Sequence, residues 1–329
     1  MKNVITASAA LLLTTSLAQA GGLDRSGNPY SVLFEDGNYA QLSFSMAKPE
    51  VSGTYPSTPP FDGSETGNMA DEYSSAGLAL KFQVNDQFDL GLFLNQPYGA
   101  NSTYGAGFYD GLTADWQSNQ VSVVGKYEVR PGISIYGGLR AVQSKATIAI
   151  PDSLPRGSAV NAVPEPARAF IPTAPDAGED PIDDAIISGT AATILANNPL
   201  LTPEQRTALQ PDLERALSIA AAPQESLNYN AETSRNTQIG YILGAAYERP
   251  EIALRVSLTY ESGVTHDFGS TETWPAFGQS EVEGEFDIEM PQSITLDFQS
   301  GIAEDTLAFG SIKWTEWSVW DVRPSVYET

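Results

Sequence analysis

Apolar and polar residues alternate with a period of two along most of this chain. In 252–260 every second residue is apolar or aromatic, from Ile252 to Tyr260, and the residues between them include Arg255, Ser257 and Thr259. The same alternation recurs in 78–84 and in 293–299. Because successive side chains of a β-strand point to opposite faces of its sheet, this period predicts strands with one apolar face.

The pattern predicts nine strands joined by connections of alternating length. The strands cover 38–48, 72–85, 87–97, 115–129, 132–150, 228–249, 251–267, 286–302 and 305–320. Four connections are tight turns, at 85–87, 130–132, 249–251 and 303–305, and four are long, at 49–71, 98–114, 151–227 and 268–285. Short turns at one end and long loops at the other are typical of outer-membrane β-barrels. A soluble β-sandwich is the alternative, but short turns at one end and long loops at the other are not expected of a sandwich.

The basic residues of the strands favour the membrane interpretation. If the apolar face meets lipid, Lys81, Lys126, Arg140 and Arg255 all point inward. A charge on the lipid face near the midplane costs about 2–4 kcal/mol. We therefore predict an all-β fold, a transmembrane antiparallel β-barrel with a polar interior.

The N-terminus has the features of a secretory signal peptide over 1–20. Lys2 precedes a mostly apolar stretch, 4–17, and Ala18-Gln19-Ala20 forms a small-residue cleavage site. No other stretch approaches the roughly 18 apolar residues that a transmembrane helix needs. An exported chain without such a helix can still span a membrane as a closed barrel.

Composition narrows the chemistry. The chain has 17 Lys+Arg against 41 Asp+Glu, a net charge of −24, which argues against nucleic acid as a partner. It contains no cysteine, which excludes disulfides and thiolate chemistry. Its single histidine, His266, argues against a histidine-based triad or metal site, and we interpret it as a solvated loop residue. The acidic run 281–289 is interpreted as an exposed strand end rather than a cation site. No catalytic residue, metal or cofactor is predicted.

The long segment 151–227 differs from the rest. Seven prolines lie between Pro151 and Pro181, and two helical stretches follow. Thr202-Pro203-Glu204-Gln205 predicts a helix start with a capping box. The apolar residues that follow form a stripe; they are Leu209, Leu213 and Leu217. Two interpretations stay open: a surface loop that packs its own apolar face, or a helical lid that presents an outward-facing groove for ligand capture. The groove is the prediction to be tested.

Several stretches resemble the FadL-type outer-membrane transporters of long-chain fatty acids and other hydrophobic compounds. They are Asn28-Pro29 with Phe34, 49–54 (PEVSGT), 84–100, 247–260 (YERPEIALRVSLTY) and 291–318, which ends in WTEWS. No single motif is decisive, but their order and spacing together are specific. The resemblance covers nearly all of the mature chain.

The resemblance implies a monomeric 14-stranded barrel in the outer membrane of a Gram-negative cell. A short N-terminal hatch, here 21–37 with Asn28, Pro29 and Phe34, would plug the barrel, 38–329. Ligands would be captured by extracellular loops, pass to a luminal pocket and leave sideways through a kink in strand three. The partners implied are a long-chain fatty acid or other hydrophobic ligand and the lipid of the membrane.

This sequence departs from the family pattern at both ends. Only 21–27 would remain ahead of Asn28 after cleavage, so a role of the N-terminus in closing the pocket is not expected. Nine strands fall short of 14, and a C-terminally incomplete barrel, from a fragment or a truncated gene product, is expected.

Two basic residues are candidates for a ligand carboxylate. In strand five the apolar set changes face beyond Ala141, and a bulge at 141–142 would bring Lys145 inside beside Arg140. The family carries a basic residue in this region, and Lys145 is the nearest match. Alternatively, both are luminal residues paired with barrel acids such as Asp297.

The predicted exit lies in strand three. Proline lacks the N–H that the ladder needs, so Pro97, with Gly99 two residues on, predicts that Asn95 to Ala100 leaves the sheet and opens a gap beside strand two. The alternative is that Pro97 simply ends the strand. The predicted function is passive uptake of hydrophobic molecules; the alternatives are a general porin and a barrel enzyme that acts on lipids.

Overall fold

The computed structural model describes residues 23–25, 29–57, 63–154, 184–199, 201–221, 227–274 and 279–324. The predicted signal peptide and Asn28 lie outside the described residues. The domain boundaries at 20 and 37 stay predictions.

The described residues form one antiparallel sheet of 13 strands. The strands are β1 (Tyr39–Ala47), β2 (Tyr73–Gln83), β3 (Phe88–Asn95), β4 (Gly99–Thr103), β5 (Thr113–Arg130), β6 (Ile133–Ile150), β7 (Tyr229–Thr233), β8 (Asn236–Arg249), β9 (Leu254–Glu261), β10 (Val264–Trp274), β11 (Gln279–Met290), β12 (Ser293–Ala303) and β13 (Thr306–Thr315). They pair in the order β1-β2-β3-β5-β6-β8-β9-β12-β13, with β4, β7, β10 and β11 off this path. If β4, β7, β10 and β11 are counted together with β3, β8, β9 and β12, neighbours in the sheet are neighbours along the chain.

Thirteen strands replace the nine predicted ones because three of the nine are interrupted, at 234–235, 262–263 and 291–292, and a further strand, β4, follows the predicted strand 87–97. β4 lies in the predicted loop 98–114, and β10 and β11 extend over most of the predicted loop 268–285, so both loops are shorter than predicted. The upper pieces keep the neighbours of the lower ones: β7 pairs with β10 as β8 pairs with β9. The all-β fold and the antiparallel meander are therefore confirmed.

The sheet curls into a half-barrel. Lys313 of β13 forms a 2.6 Å ion pair with Asp24, and Asp24 bridges to Tyr98 beside β4. These contacts join strands far apart in the sheet order, so the inner face is concave. A tight turn closes at Gly132, where φ is +78° and a Cβ would lie 2.6 Å from the Glu248 carbonyl oxygen, so glycine is required.

In the lower half of the sheet, apolar side chains face outward and charged side chains face inward. Lys81 and Lys126 both pair with Asp89, at 3.1 and 3.0 Å. Arg140 is fully buried, and the Arg255 guanidinium lies 5.1 Å from the Phe34 ring inside the sheet. Exposed apolar residues cover the outer face; they include Phe82, Val121, Val123, Ile135, Leu139, Ile239, Leu243, Leu258 and Phe298. The inward direction predicted for the four cations is confirmed.

The two faces exchange character halfway up the sheet. On the outer face of β5, Val121 to Val129 is apolar, whereas Gln117 and Asn119 above it are polar and exposed. On the inner face the upper residues are apolar, Trp116 among them. The apolar outer run is about 26 Å along the strand at about 3.3 Å per residue. Tilted by about 40°, it covers about 20 Å of membrane thickness, near the usual apolar band of about 25 Å.

The bulge predicted at 141–142 is wrong. β5 and β6 pair without a break from Ser122–Arg140 to Gln117–Lys145, and the register shifts only at Glu128/Arg130, beside the turn. The apolar set of β6 changes face because the strand rises out of the hydrocarbon at Ala141. Above that level water lies outside and the apolar residues turn to the interior, as in a soluble protein.

Two helices of the long loop form a hairpin, α1 (Asp184–Ala196) and α2 (Pro203–Ala221). The predicted capping box is confirmed: the Thr202 N–H donates to Gln205 Oε1 at 2.9 Å and the Gln205 N–H donates to Thr202 Oγ1 at 3.3 Å. Across the described part of the chain, no helix combines the length and apolar character needed to cross a membrane.

The leucine stripe of α2 does not form an outward-facing groove. Leu213 and Leu217 are buried, and Leu209 is partly buried, in a core shared with Ile187 and Leu195 of α1. The groove prediction is therefore wrong, because a stripe at helical spacing packs against the first apolar helix beside it.

Candidate functional site

The predicted hatch residues Pro29 and Phe34 lie inside the lower half of the sheet. Pro29–Phe34 forms a 3₁₀ turn whose Tyr30, Val32 and Leu33 are buried. The Tyr30 ring meets Phe93 edge-on at 5.1 Å, and the Phe34 ring meets Tyr136 edge-on at 5.8 Å. This turn fills the lower interior, and we call it the hatch turn.

Charge holds the hatch turn as well as packing. The Lys126 Nζ and the Arg255 guanidinium each lie 5.1 Å from the Phe34 ring centroid, within cation–π range. The Tyr30 hydroxyl donates to Glu261 Oε1 at 2.9 Å and accepts from Gln120 Nε2 at 3.2 Å. These bonds tie the hatch turn to strands on opposite sides of the half-barrel.

Arg140 lies above the hatch turn, and protein groups already engage it. Its guanidinium donates to Gln120 Oε1 at 3.0 Å and to the Ser262 carbonyl oxygen, and it pairs with Glu261 at 3.5 Å. Arg140 is therefore a luminal residue paired with a barrel acid, as the alternative interpretation proposed, and that acid is Glu261. A ligand carboxylate would have to compete with Glu261 for it.

Lys145 does not join Arg140. It lies on the opposite face of β6, half-buried, and its Nζ pairs with Glu232 of β7. Because the bulge is absent, nothing turns this side chain inward. Lys145 is therefore a weaker candidate for a luminal carboxylate site than Arg140.

The upper interior holds a cluster of buried apolar side chains that sequence reasoning missed. Its buried residues are Tyr98, Trp116, Val142, Ala146, Val264, Phe268, Ile288 and Met290. Trp320 packs on Trp116 with ring centroids 4.7 Å apart, and Trp317 packs on Tyr98 at 5.8 Å. The signal that could have found it was the change of apolar face in strand five, which was interpreted as a bulge. We call this set the upper pocket.

His266 belongs to the upper pocket, so its interpretation as a solvated loop residue is wrong. Its side chain is fully buried, and its ring stacks on Phe268 at 5.2 Å. Its Nδ1 lies 3.0 Å from Asn236 Oδ1. The alternation places it inside because it shares a face with Val264 and Phe268.

The ladder between β2 and its next neighbour is interrupted at Pro97. Pairing of β2 with β3 ends at Leu78–Leu94, and the segment 73–77 pairs with β1 alone. The chain resumes as β4, which pairs with β5 from Gly99–Gln117 upward. Gln96, Pro97 and Tyr98 thus leave the sheet at the upper edge of the outer apolar band. The gap is narrower than the predicted Asn95 to Ala100, because Asn95 still pairs as the end of β3 and Gly99 and Ala100 belong to β4.

The short N-terminal segment 23–25 occupies the inner side of this break. The Arg25 N–H donates to the Pro97 carbonyl oxygen at 2.9 Å, and the Gly99 N–H donates to the Leu23 carbonyl oxygen at 2.8 Å. The Arg25 guanidinium lies 3.8 Å from the Tyr73 ring centroid and donates to Asn101 Oδ1 at 2.7 Å. Residues 23–25, which lie ahead of Asn28, thus reach the break and cover it from inside, where no such role was expected.

A sequence model described as outer membrane protein transport protein (OMPP1/FadL/TodX) matches residues 18–323. The chain belongs to this family. The FadL/TodX assignment places it in the outer membrane of Gram-negative bacteria, among transport proteins and not among enzymes. No curated protein matches the sequence.

The fold resembles that of a solved FadL homologue. A FadL homologue of Pseudomonas aeruginosa superposes with a TM-score of 0.53 at 13% identity, over 88% of this chain and 63% of that one. The toluene transporter TbuX of Ralstonia pickettii gives 0.48 at 13% identity, over 90% of this chain and 70% of that one. The chain thus spans less than two thirds of the length of the FadL homologue.

Proposed function

We propose that this protein, as a monomer, mediates passive uptake of hydrophobic small molecules. A ligand enters the upper pocket from outside and leaves sideways into lipid through the break between β2 and β4. The candidate ligands are a long-chain fatty acid or another hydrophobic compound.

One observation carries this proposal. Tyr98 lies in the break and is also a buried member of the upper pocket, so the apolar interior reaches the point where the ladder opens. Outside the break, Phe44 and Met46 of β1 are 70% and 73% exposed and extend the lipid-facing surface to the same height. A hydrophobic molecule can therefore move from pocket to lipid without crossing water.

The interior does not favour a porin. The hatch turn occupies the lower half, and apolar and aromatic side chains surround the upper half, where a water-filled channel would carry polar walls. The segment 23–25 covers the break from inside, so passage requires that it shift or that the ligand slide past Arg25.

A disulfide across the break tests the exit. The Ala76 N–H lies 3.4 Å from Gln96 Oε1 across the open part of the ladder, and the chain has no native cysteine. Ala76→Cys with Gln96→Cys should therefore form a single bridge. We expect uptake of a hydrophobic substrate to fall at least tenfold when this bridge is oxidised and to recover on reduction, with ligand binding unchanged.

The matched control is a bridge where the ladder is already closed. Leu80 and Leu92 are register partners of β2 and β3, so Leu80→Cys with Leu92→Cys should leave uptake unchanged. Equal uptake by the oxidised and reduced Ala76–Gln96 variant would refute the lateral exit. Swelling of liposomes by sugars would instead establish a porin.

A further inference from the structure

Three polar atoms of the upper pocket are buried without a hydrogen-bond partner among the described residues. They are Trp116 Nε1, Ser144 Oγ and His266 Nε2. The residues that carry them are 3%, 1% and 0% exposed. Buried polar atoms of folded proteins are nearly always paired, because an unpaired one loses its hydrogen bonds to water without replacement. Three together in an apolar pocket point to a ligand that pairs with them.

The three atoms come from β5, β6 and β10, and β7 lies between the last two. Trp116 of β5 is opposite Ala146 of β6, two residues from Ser144. Ser144 is in turn opposite Asn236, the hydrogen-bond partner of His266. The Trp116 and His266 ring centroids are 6.4 Å apart. One small polar group in the pocket can therefore approach both rings.

The hydrogen bonds of Asn236 determine which nitrogen of His266 carries hydrogen. Asn236 Nδ2 donates to the Asp267 backbone carbonyl oxygen at 2.7 Å. A carbonyl only accepts, so the amide nitrogen must be on that side, and Asn236 Oδ1 faces the ring. His266 Nδ1 therefore carries the hydrogen and donates to Oδ1. In the neutral ring Nε2 is then an acceptor that points away from Asn236.

The acceptor His266 Nε2 and the donor Trp116 Nε1–H together match a hydroxyl group, which can both donate and accept. A ligand O–H can donate to His266 Nε2 while its oxygen accepts from the indole N–H of Trp116. A carboxylate has no hydrogen to give and would meet the Nε2 lone pair. The Nη atoms of the nearby Arg140 already bond to Glu261, Gln120 and Ser262, although its Nε has no partner among the described residues. A pure hydrocarbon would leave all three atoms unpaired.

We infer that the upper pocket selects uncharged hydrophobic compounds that carry one hydroxyl group, such as alkylphenols and fatty alcohols. The inference names the substrate class of the proposed uptake and rests on it. It replaces the carboxylate-binding role considered for Lys145 and Arg140.

Three probes of similar shape test the class at pH 7: p-cresol, p-xylene and 4-methylbenzoate. We expect calorimetric titration of the detergent-solubilised protein to show p-cresol binding about tenfold more tightly than either of the others, because two hydrogen bonds are gained. Octanol against octanoate and nonane should give the same order. Equal affinity for p-cresol and p-xylene, or tighter binding of 4-methylbenzoate, would overturn the inference.

Two variants test whether Trp116 and His266 bind the hydroxyl group of the ligand. Trp116→Phe keeps the aromatic ring and removes the donor, and His266→Leu removes the acceptor. Each should weaken p-cresol about tenfold and leave p-xylene unchanged, whereas Gln117→Leu on the outer face of β5 should change neither. Equal losses for both probes would contradict the assignment. The ligand series on the unmodified protein decides the class even if a variant fails to fold.

The two proposals fail in different ways. If none of the hydrophobic probes binds, the proposed uptake through the upper pocket fails. If they bind without preference for the hydroxyl, uptake stands and the selectivity does not.

Discussion

At the scale of single residues, Asp89 is the side chain on which two buried lysines depend. Lys81 and Lys126 are 4% and 11% exposed at their side chains and both pair with it. Removal of one partner of a buried ion pair leaves an uncompensated charge, at about 3–5 kcal/mol. We expect Asp89→Asn to lower the free energy of unfolding by about 3 kcal/mol, measured by urea titration in lipid vesicles.

Asp86 supplies the control for that measurement. It lies exposed in the turn between β2 and β3, so Asp86→Asn should stay within about 0.5 kcal/mol of the unmodified protein. Equal stability of the two variants would mean that the lysines reach water.

At the scale of elements, the helical hairpin folds on its own core. Leu213 is fully buried between α1 and α2. A buried Leu→Ala change costs about 2–5 kcal/mol. Leu213→Ala should therefore open the hairpin to hydrogen exchange over 184–221 while the strands keep their protection.

Arg215 is the matched position for the hairpin test. It is exposed on the same helix, and Arg215→Ala should leave the exchange pattern intact. Loss of protection in the strands as well would mean that the hairpin supports the barrel.

Elements whose signals are local were predictable from sequence. The tight turns, the alternation and the capping box at Thr202 depend on residues within a few positions of one another, and the structure confirms them. The leucine stripe was misjudged because its partner, α1, is specified elsewhere in the chain. The hydrogen-bonding surroundings of His266 depend on Asn236, thirty residues away, and no local pattern reveals them.

At the scale of the whole molecule, the exchange of faces marks where lipid ends. The upper pocket and the outward position of Lys145 both follow from this boundary. Periodicity alone could not predict them, because alternation shows that two faces differ but not which one meets water. In β6 the apolar residues move from one face to the other beyond Ala141, and this change marks the boundary between lipid and water. A bulge was predicted instead, because it would explain the same change within a single strand.

Arginine substitutions at two heights on the outer face test this boundary. Leu243 of β8 lies in the middle of the apolar band, and Thr147 of β6 lies above it. Arginine near the midplane costs about 2–4 kcal/mol and near the interface about 0–1 kcal/mol. We expect Leu243→Arg to lower the free energy of unfolding in vesicles by about 3 kcal/mol and Thr147→Arg to leave it nearly unchanged. Comparable losses at both positions would place Thr147 within the hydrocarbon.

The contacts of the N-terminal residues have a consequence for the order of assembly. When each interrupted strand is counted together with its continuation, every strand pairs with the next one along the chain, so hairpins can add to the sheet one at a time with little cost of loop closure. In contrast, the Tyr30 hydroxyl bonds to Glu261, which lies 231 positions later in the chain, and Asp24 pairs with Lys313 of β13. Contacts of such high sequence separation form slowly. The N-terminal residues, although synthesised early, are therefore the last to dock. Before they do, the strands of the half-barrel are paired but the hatch turn has not yet filled the interior.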